Sequence, residues 1–529
     1  MTEGPEVAVV GGGPVGLVTG LLLDRYGVAC RVYERARQPL RQPRAVHLDD
    51  EGLRVLAEVG VGEAVNAEGR PVAGMSLVDA NLEPFVTFER DPAPGPLGFP
   101  ASVLVHQPHV EDRLREVAWS RGLLETGAEA IDVVDDPGEV GLTLHVGGRT
   151  VHRSVRYVVG CDGASSTVRA LAHVPDRDLG FRQRWLVLDL VVQRPPEHPN
   201  RVLQICDPHG PATSVPVGRG RHRFEFMIDD GEGAVDPDAL VRAALPRCRA
   251  WLGAVPFDVE RAATYTFRAR VAERFRAGHV VLAGDAAHEM PPFLGQGLGA
   301  GLRDAAGLAW RLALIVQGRA ADEVLDSYEA ERREHVTAVI SVTRRVGRIV
   351  AERRVLRSNL RHRALAVLDR LLGARGGLSA VEMPPLPPGP FVEAALPGQR
   401  SPAGRPLPRP MVRTEGGVES LDELLGPGFG VLGIGADPRT GLPVALRRWW
   451  EDVGARFVAL NSDPRDAAGI RSGSDLSGSL RAWAAHHRGA LAVIRPDRVV
   501  LAAYRVPEPG ALSPLAELTS RLRAAGLRG

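Results

Sequence analysis

The segment VAVVGGGPVGL, residues 7–17, constrains this chain more than any other. Val7 to Val10 is a short apolar run of the kind that makes a buried parallel strand. Gly11 permits a tight turn, Gly13 lets the backbone approach a pyrophosphate, and Gly16 lets the next helix pack on the strand. That helix, expected from about Pro14 to Tyr26, points its N-terminal amides at the phosphates. A second strand, Ala29 to Tyr33, delivers Glu34 to a ribose hydroxyl pair. Strand, glycine turn, helix, strand and acid in this order predict a dinucleotide site. The acid favours an adenosine ribose with free hydroxyls over a 2′-phosphate. The motif alone does not separate FAD from NAD.

A chain of 529 residues implies two to four domains and an ample core. A net charge of +1 gives no electrostatic case for nucleic acid or an anionic membrane. All 65 basic residues are arginine, so lysine Schiff-base chemistry and a P-loop lysine are excluded. No apolar run reaches the length of a membrane span, and the chain opens into a strand without a signal-peptide pattern, so a cytoplasmic location is expected. Cys30, Cys161, Cys206 and Cys248 form no CxxC and no metal-ligand spacing with histidine. Cys30 and Cys161 sit in strand-like apolar runs and read as small core residues, and no metal is expected.

The fold expected is α/β. A Rossmann-like dinucleotide domain occupies 1–175 and 270–375, with a helix from Asp50 to Val61 and another from Gln107 to Trp119. A mostly antiparallel β domain, 176–269, is interleaved, and 75–105 is expected to join its sheet. The proline-rich MPPLPPGP, 383–390, reads as the centre of a linker over 376–394. Residues 395–529 alternate strands and helix-like segments and form a separate small α/β domain without cysteine.

A second glycine-rich segment, LAGDAAHEMPPFLGQG, spans 282–297. Val280–Ala283 reads as a strand closed by Gly284 and Asp285, whose carboxylate suits a ribose or ribityl hydroxyl pair. Backbone amides at the helix start near Gly297 suit negative charge on a flavin ring, and by itself the segment reads equally as a glycine-rich loop that starts a helix.

Three motifs in order resemble the flavoprotein aromatic hydroxylases typified by para-hydroxybenzoate hydroxylase: GGGPVGL with Glu34, YVVGCDGASSTVR (157–169), and LAGDAAHEMPPFLGQGLGAGLRDAAGLAWRL (282–312). DSYEAERREH (326–335) extends the match. PRAVHLDDEGLRVL (43–56), CDPHGPATSVP (206–216) and RFEFMI (223–228) look closest to the 3-(3-hydroxyphenyl)propionate hydroxylase branch. Residues 396–407, LPGQRSPAGRPL, look like the opening of the thioredoxin-like domain of the phenol hydroxylase branch.

The resemblance implies FAD as cofactor and NADH or NADPH as a transient reductant, with dioxygen and a small aromatic substrate. Gly11, Gly13, Pro14, Gly16, Glu34 and Arg35 resemble the adenosine and pyrophosphate site. Arg44 and Gln107 match positions that contact FAD in relatives. Asp162 and Gly163 resemble a pair linked to both FAD and NAD(P)H. Gly284 and Asp285 resemble the ribityl-phosphate contact, and Pro292, Gly295, Gly297 and Leu298 the loop beside the isoalloxazine. Many relatives carry asparagine where this chain has Gly299 and Gly307; Gly299 removes a side-chain donor, which either loosens FAD or leaves backbone amides to act at that point.

The activity implied is hydroxylation of a phenol, or of a polyketide aromatic of secondary metabolism, through a flavin hydroperoxide. Arg44 and His47 are the catalytic candidates, His47 as base for a phenolic proton. Asp49 reads as a helix N-cap. Trp185, Phe224, Phe226 and Phe293 are candidate pocket walls, and Arg182, Arg184 and Arg223 lesser candidates for a substrate carboxylate. Baeyer–Villiger oxygenation and a non-hydroxylating FAD protein are the alternatives. A homodimer is compatible with the family.

Overall fold

The computed structural model describes residues 5–39, 44–194, 200–218, 220–228, 236–372, 383–395, 401–461, 469–487, 490–505 and 513–529. Val7–Val10 lies at the centre of a six-stranded sheet, parallel to Cys30–Glu34 on one side and Tyr157–Gly160 on the other. Val280–Leu282 pairs parallel with Tyr157–Gly160. All four strands therefore end at the same edge. The glycine turn, Glu34, the Cys161–Gly163 turn and Gly284–Asp285 are delivered there together, where ligands of open parallel sheets bind. The helices Pro14–Arg25 and Gly297–Val316 pack against each other beside this sheet. The expected helix from Asp50 to Val61 stops at Glu58, ahead of Gly60, whose φ of 87° ends a right-handed helix, and a separate helix, Gly62–Glu68, follows. Asp49 caps the first of them, accepting the Gly52 N–H at 2.9 Å.

The second layer is an eight-stranded sheet. Asp176–Val192 pairs antiparallel with both Phe257–Ala272 and Arg221–Ile228, followed by Ala212–Val215, Val202–Ile205, Gly74–Val78 and Pro84–Glu89. Its outer face is buried by the helix Pro237–Leu252. Ala244, Cys248 and Leu252 of that helix share a core with Leu186, Leu188, Phe224 and Phe226. Its inner face looks toward the parallel sheet.

The C-terminal part forms a seven-stranded sheet in which Arg456–Leu460, Gly430–Ile434, Leu491–Ile494 and Val500–Tyr504 lie side by side. The first pairing is parallel and the next two antiparallel, the thioredoxin-like arrangement. Its seam with the rest of the chain is made of buried guanidinium groups. Arg54 forks onto Asp422 at 2.6 and 2.8 Å and reaches the Leu407 carbonyl. Arg498 meets Glu58 at 2.8 Å, and Arg495 meets Glu331 at 2.8 Å. Planar forks of this kind satisfy several acceptors at once, which suits a dry interface.

The proline-rich segment is not a free-standing connector in its described part, 383–395. Leu386 is 8% exposed and its N–H donates to the Gly404 carbonyl at 2.9 Å. The Pro384 carbonyl accepts from His335 Nε2 at 3.0 Å. The rest of the expected linker, 376–382, and residues 396–400 of the domain opening lie outside the described residues. All four cysteines are buried and unpaired. No helix among the described residues is long and apolar enough to cross a membrane.

Candidate active site

A hollow of about 1060 Å³ runs from the glycine turn, past the edge of the parallel sheet, to the inner face of the eight-stranded sheet. This volume exceeds that of an ordinary drug-sized pocket and suits a dinucleotide together with a ring-sized partner.

At the first end, Gly11 adopts a φ of 108°, and a Cβ there would collide with the Cys161 carbonyl. A Cβ on Gly13 would meet nothing within 4 Å, so the turn presents bare backbone to open space. Glu34 does more than await a ribose. Its Oε2 accepts the Gly12 N–H at 2.7 Å and its Oε1 the Ala36 N–H at 2.8 Å, which fastens the turn to the neighbouring strand and leaves lone pairs free. Arg35 and Pro14 line the hollow here. Asp162 accepts from the Ser166 hydroxyl at 2.5 Å and the Val168 N–H at 3.0 Å, holding the start of Thr167–Leu171, while Gly163 lines the wall.

Arg115 was not anticipated. Its Nη2 donates to the Gly12 carbonyl at 3.1 Å, and its Nε is buried without a partner among the described residues. The signal was present: Gln107, Glu111 and Arg115 fall at four-residue spacing on one helix and all line the hollow. Gln107 acts as a brace. Its Oε1 accepts from the N–H groups of Arg44 and Ala45 at 3.0 and 2.5 Å, and its Nε2 donates to Glu111 at 2.7 Å. Arg44 has its backbone fixed from both sides, because its carbonyl accepts from Arg223 at 2.8 Å, and its side chain is exposed at the hollow.

Midway, the Asp285 side chain opens into the hollow, with no hydrogen bond among the described residues. The enclosing protein raises its carboxyl above the usual range. Gly284 is held by Asp304, which accepts its N–H at 2.9 Å and also meets His288 at 2.6 Å and Arg332 at 2.7 Å. Burial alone pushes the Asp304 carboxyl up, but these two partners win and hold it at about 2.

The far loop, Pro292 to Leu298, turns at Gly295, with φ 62°, and runs into the helix Gly297–Val316. The first N–H groups of that helix have no intrahelical acceptor. His47 stands behind the loop. Its Nδ1 lies 3.2 Å from the Gly295 carbonyl and its Nε2 2.9 Å from the Ser102 hydroxyl. A carbonyl only accepts, so Nδ1 carries the proton and Nε2 accepts from Ser102. Burial lowers the His47 pKa, which keeps the ring neutral at pH 7. The place beside Gly299 is filled by Arg303, whose Nη1 would lie 3.0 Å from an added Cβ and which pairs with Asp49 and Glu51, both at 2.6 Å.

Of the four aromatic residues expected to wall the pocket, Phe293 lines the hollow. Trp185 is fully buried behind it, edge-on to the Phe293 ring at 5.7 Å. Phe224 and Phe226 point to the outer face and pack on Trp251 at 5.5 and 5.8 Å. The reason is strand alternation: in RHRFEFMI the odd positions Arg223 and Glu225 face the hollow, so the even ones cannot. Arg182 and Arg184 do not line it, and Arg223 is committed to Asp189 at 2.7 and 3.1 Å. Val187, Val202, Val215 and Phe267 supply apolar wall. The rear is closed by Met383–Leu386 and, from the C-terminal domain, Arg495, Asp497 and Val499.

Bare backbone at Gly13, an open Asp285 carboxylate and unpaired helix amides all face one hollow, and Arg115 lines it. These donors and acceptors fit a dinucleotide carrying a flavin.

The pattern of the family described as FAD binding domain matches residues 5–343, and that of the HcaD C-terminal domain matches 404–517. The 3-(3-hydroxy-phenyl)propionate/3-hydroxycinnamic acid hydroxylase of Mycobacterium sp. (strain KMS) is 34% identical over 95% of this chain and 89% of its own. The enzyme of that name from Escherichia coli (strain K12 / DH10B) is 32% identical over 95% of this chain and 92% of its own. Among solved structures, the flavin-dependent monooxygenase PieE in complex with FAD and substrate superposes with a TM-score of 0.80 at 22% identity, covering 99% of this chain and 100% of that one. OxyS anhydrotetracycline hydroxylase from Streptomyces rimosus superposes with a TM-score of 0.74 at 24% identity, covering 100% of both.

Proposed function

Because this chain belongs to the FAD-binding aromatic hydroxylases, in the 3-(3-hydroxyphenyl)propionate hydroxylase branch, we propose that it hydroxylates a phenolic or polyketide aromatic at the expense of NADH or NADPH. The chain is an enzyme and a flavoprotein monooxygenase by that membership. The observation that carries the finer reading is the continuity of one hollow from Gly13 to the apolar inner face beside Phe293.

Bound FAD supplies the redox chemistry by which dioxygen reacts with an aromatic ring. In this reading, Gly11, Gly13 and Pro14 admit the pyrophosphate to the first amides of Pro14–Arg25, and Gly16, packed against Gly11, lets that helix start close to the strand. Glu34 and Arg35 flank the adenosine, Arg115 closes on the same turn, and Asp162 and Gly163 set the opposite lip. Asp285, beside Gly284, takes hydroxyl donors along the chain joining the two ends. Pro292 and Gly295 shape the loop, and Gly297 and Leu298 at the helix start present backbone N–H groups to negative charge on the ring. Gln107 fixes the backbone of Arg44, whose guanidinium then reaches the hollow from a rigid base. His47 takes a phenolic proton through Ser102. The hydroxyl donates to Nε2, so a proton lost by a phenol to Ser102 Oγ passes to His47 as Ser102 hands on its own. Phe293 and its valine neighbours exclude water from the ring.

The test is a panel of phenols and polyphenols offered to the yellow, FAD-loaded protein, with loss of NADH or NADPH and release of peroxide read together. Phenol-stimulated reductant loss without matching peroxide, and a hydroxylated product fixed by NMR, are expected. Colourless protein that refuses added FAD, or reductant loss indifferent to every aromatic offered, overturns the reading.

A further inference from the structure

Glu225 sits on the inner face of the eight-stranded sheet at 7% exposure, and it lines the hollow. Directly across from it in register stand Val187 on one neighbouring strand and Thr213 on the other. The polar groups around it are already engaged. The Thr213 hydroxyl donates to Gln204 Oε1 at 2.9 Å, and the Gln204 amide donates to the Phe293 carbonyl at 3.1 Å. Arg223, one step along the same face, is forked onto Asp189, and its Nη1 lies 3.9 Å from the Glu225 carboxylate, beyond hydrogen-bond reach. Among the described residues no hydrogen bond reaches Glu225.

A carboxyl group that deep is costly unless something donates to it. Here the fold supplies Val187 on one flank, the already engaged Thr213 on the other, and an opening in front. Burial outweighs the pull of Arg223 and raises the carboxyl above its usual range. The wall is thus an acceptor without a donor, at a point the polypeptide leaves for a ligand.

We propose that Glu225 accepts a hydrogen bond from a second donor on the aromatic substrate, a hydroxyl distinct from any at the reacting position, and so selects polyhydroxylated rings over singly hydroxylated or alkylated ones. This rests on the reading of the hollow as an aromatic hydroxylase site. A site built around a buried acceptor rejects an analogue lacking the donor, because the acceptor is then left unpaired.

The experiment uses the full-length, FAD-loaded protein and follows the flavin absorbance as ligand is added, so it needs no turnover. The probes are resorcinol and its monomethyl ether, 3-methoxyphenol. The wild type is expected to bind resorcinol about 10-fold more tightly, the effect of one hydrogen bond to a charged group. Glu225→Met, which keeps the volume and removes the acceptor, is expected to bring the two within about twofold. Glu225→Gln, which keeps an acceptor, retains part of the preference and guards against a folding defect in the first variant. Equal binding of both probes by the wild type overturns the proposal, as does a preference that survives in Glu225→Met or an equal weakening of both probes. No flavin response to either phenol in the wild type overturns this inference, and, where no aromatic of the panel stimulates reductant loss either, the proposed function with it.

Discussion

The Nε2 of His47 lies 2.9 Å from the Ser102 hydroxyl, at the wall of the hollow and behind Gly295. The ring is neutral and pinned at both nitrogens, so its lone pair reaches the hollow through an oxygen. His47→Asn is expected to lower kcat by about 10²-fold or more, the usual worth of a general base. Ser102→Ala should cost less, because water replaces the hydroxyl. Burial lowers the His47 pKa, so the acid limb of the kcat profile should fall below the ordinary histidine value of about 6.5. A His47→Asn enzyme with an unchanged acid limb would assign that limb elsewhere.

His335 is a pH-sensitive element of stability. Its Nε2 donates to the Pro384 carbonyl and its Nδ1 accepts from Arg332, both at 3.0 Å. Burial and the adjacent guanidinium push its pKa down to about 2. The unfolded chain takes up this proton first, so the contribution is complete above about pH 6.5 and shrinks as pH falls. At pH 5 the loss is about 2 kcal/mol. Urea unfolding at pH 7.5 and pH 5 should show this excess in the wild type over His335→Gln. Parallel losses in both would exclude His335 as the source.

Gly13 and Gly16 separate ligand binding from folding. A Cβ at Gly13 meets no protein atom within 4 Å, and its backbone, φ −77°, suits any residue. Gly13→Ala should leave the thermal midpoint of the FAD-free protein unchanged while weakening FAD at least about 10-fold. At Gly16 a Cβ would strike the Gly11 carbonyl, so Gly16→Ala should destabilise the FAD-free protein itself. Flavin fluorescence titration and thermal unfolding of the same samples decide. Normal FAD affinity in Gly13→Ala would remove the pyrophosphate from that turn.

Asp422 holds three arginines at the seam. Arg54 lies at 2.6 Å, Arg409 at 3.2 Å and Arg498 at 3.5 Å, and they keep its carboxyl at about 2 against the opposing effect of burial. Asp422→Ala leaves buried charge uncompensated and should cost about 3–5 kcal/mol. The whole chain should melt in one transition at a lower temperature. A C-terminal transition that drops alone, while the rest keeps its midpoint, would mean that the seam does not couple the two parts.

The sequence made the strand ends legible, and with them the turn at Gly11, the Asp162–Gly163 pair and Asp285, because glycine and acid placement after a short apolar run reports backbone geometry directly. It did not report which face of a strand meets the hollow. In RFEFMI the aromatic residues drew attention, yet Phe224 and Phe226 face the helix Pro237–Leu252, and it is Arg223 and Glu225 that turn inward. Sidedness of that kind depends on what covers the sheet, and the covering helix comes later in the chain. Nor did composition distinguish a linker from a wall. Met383–Leu386 are rich in proline, but Leu386 is buried through contacts whose partners lie at 403–404 and 499. Gln107 and Glu34 were legible as candidates and both line the hollow, while their bracing of Ala45 and Gly12 was not legible, since each tie closes over a distance only the fold brings together.

Arg495, Asp497 and Val499 wall the same hollow that begins at Gly13. The thioredoxin-like part is therefore no detachable appendage: it is the back plate of that vessel. A chimera that imports this domain from another enzyme imports a piece of the vessel with it, and must match Glu331, Glu58 and Arg54 to make a watertight joint.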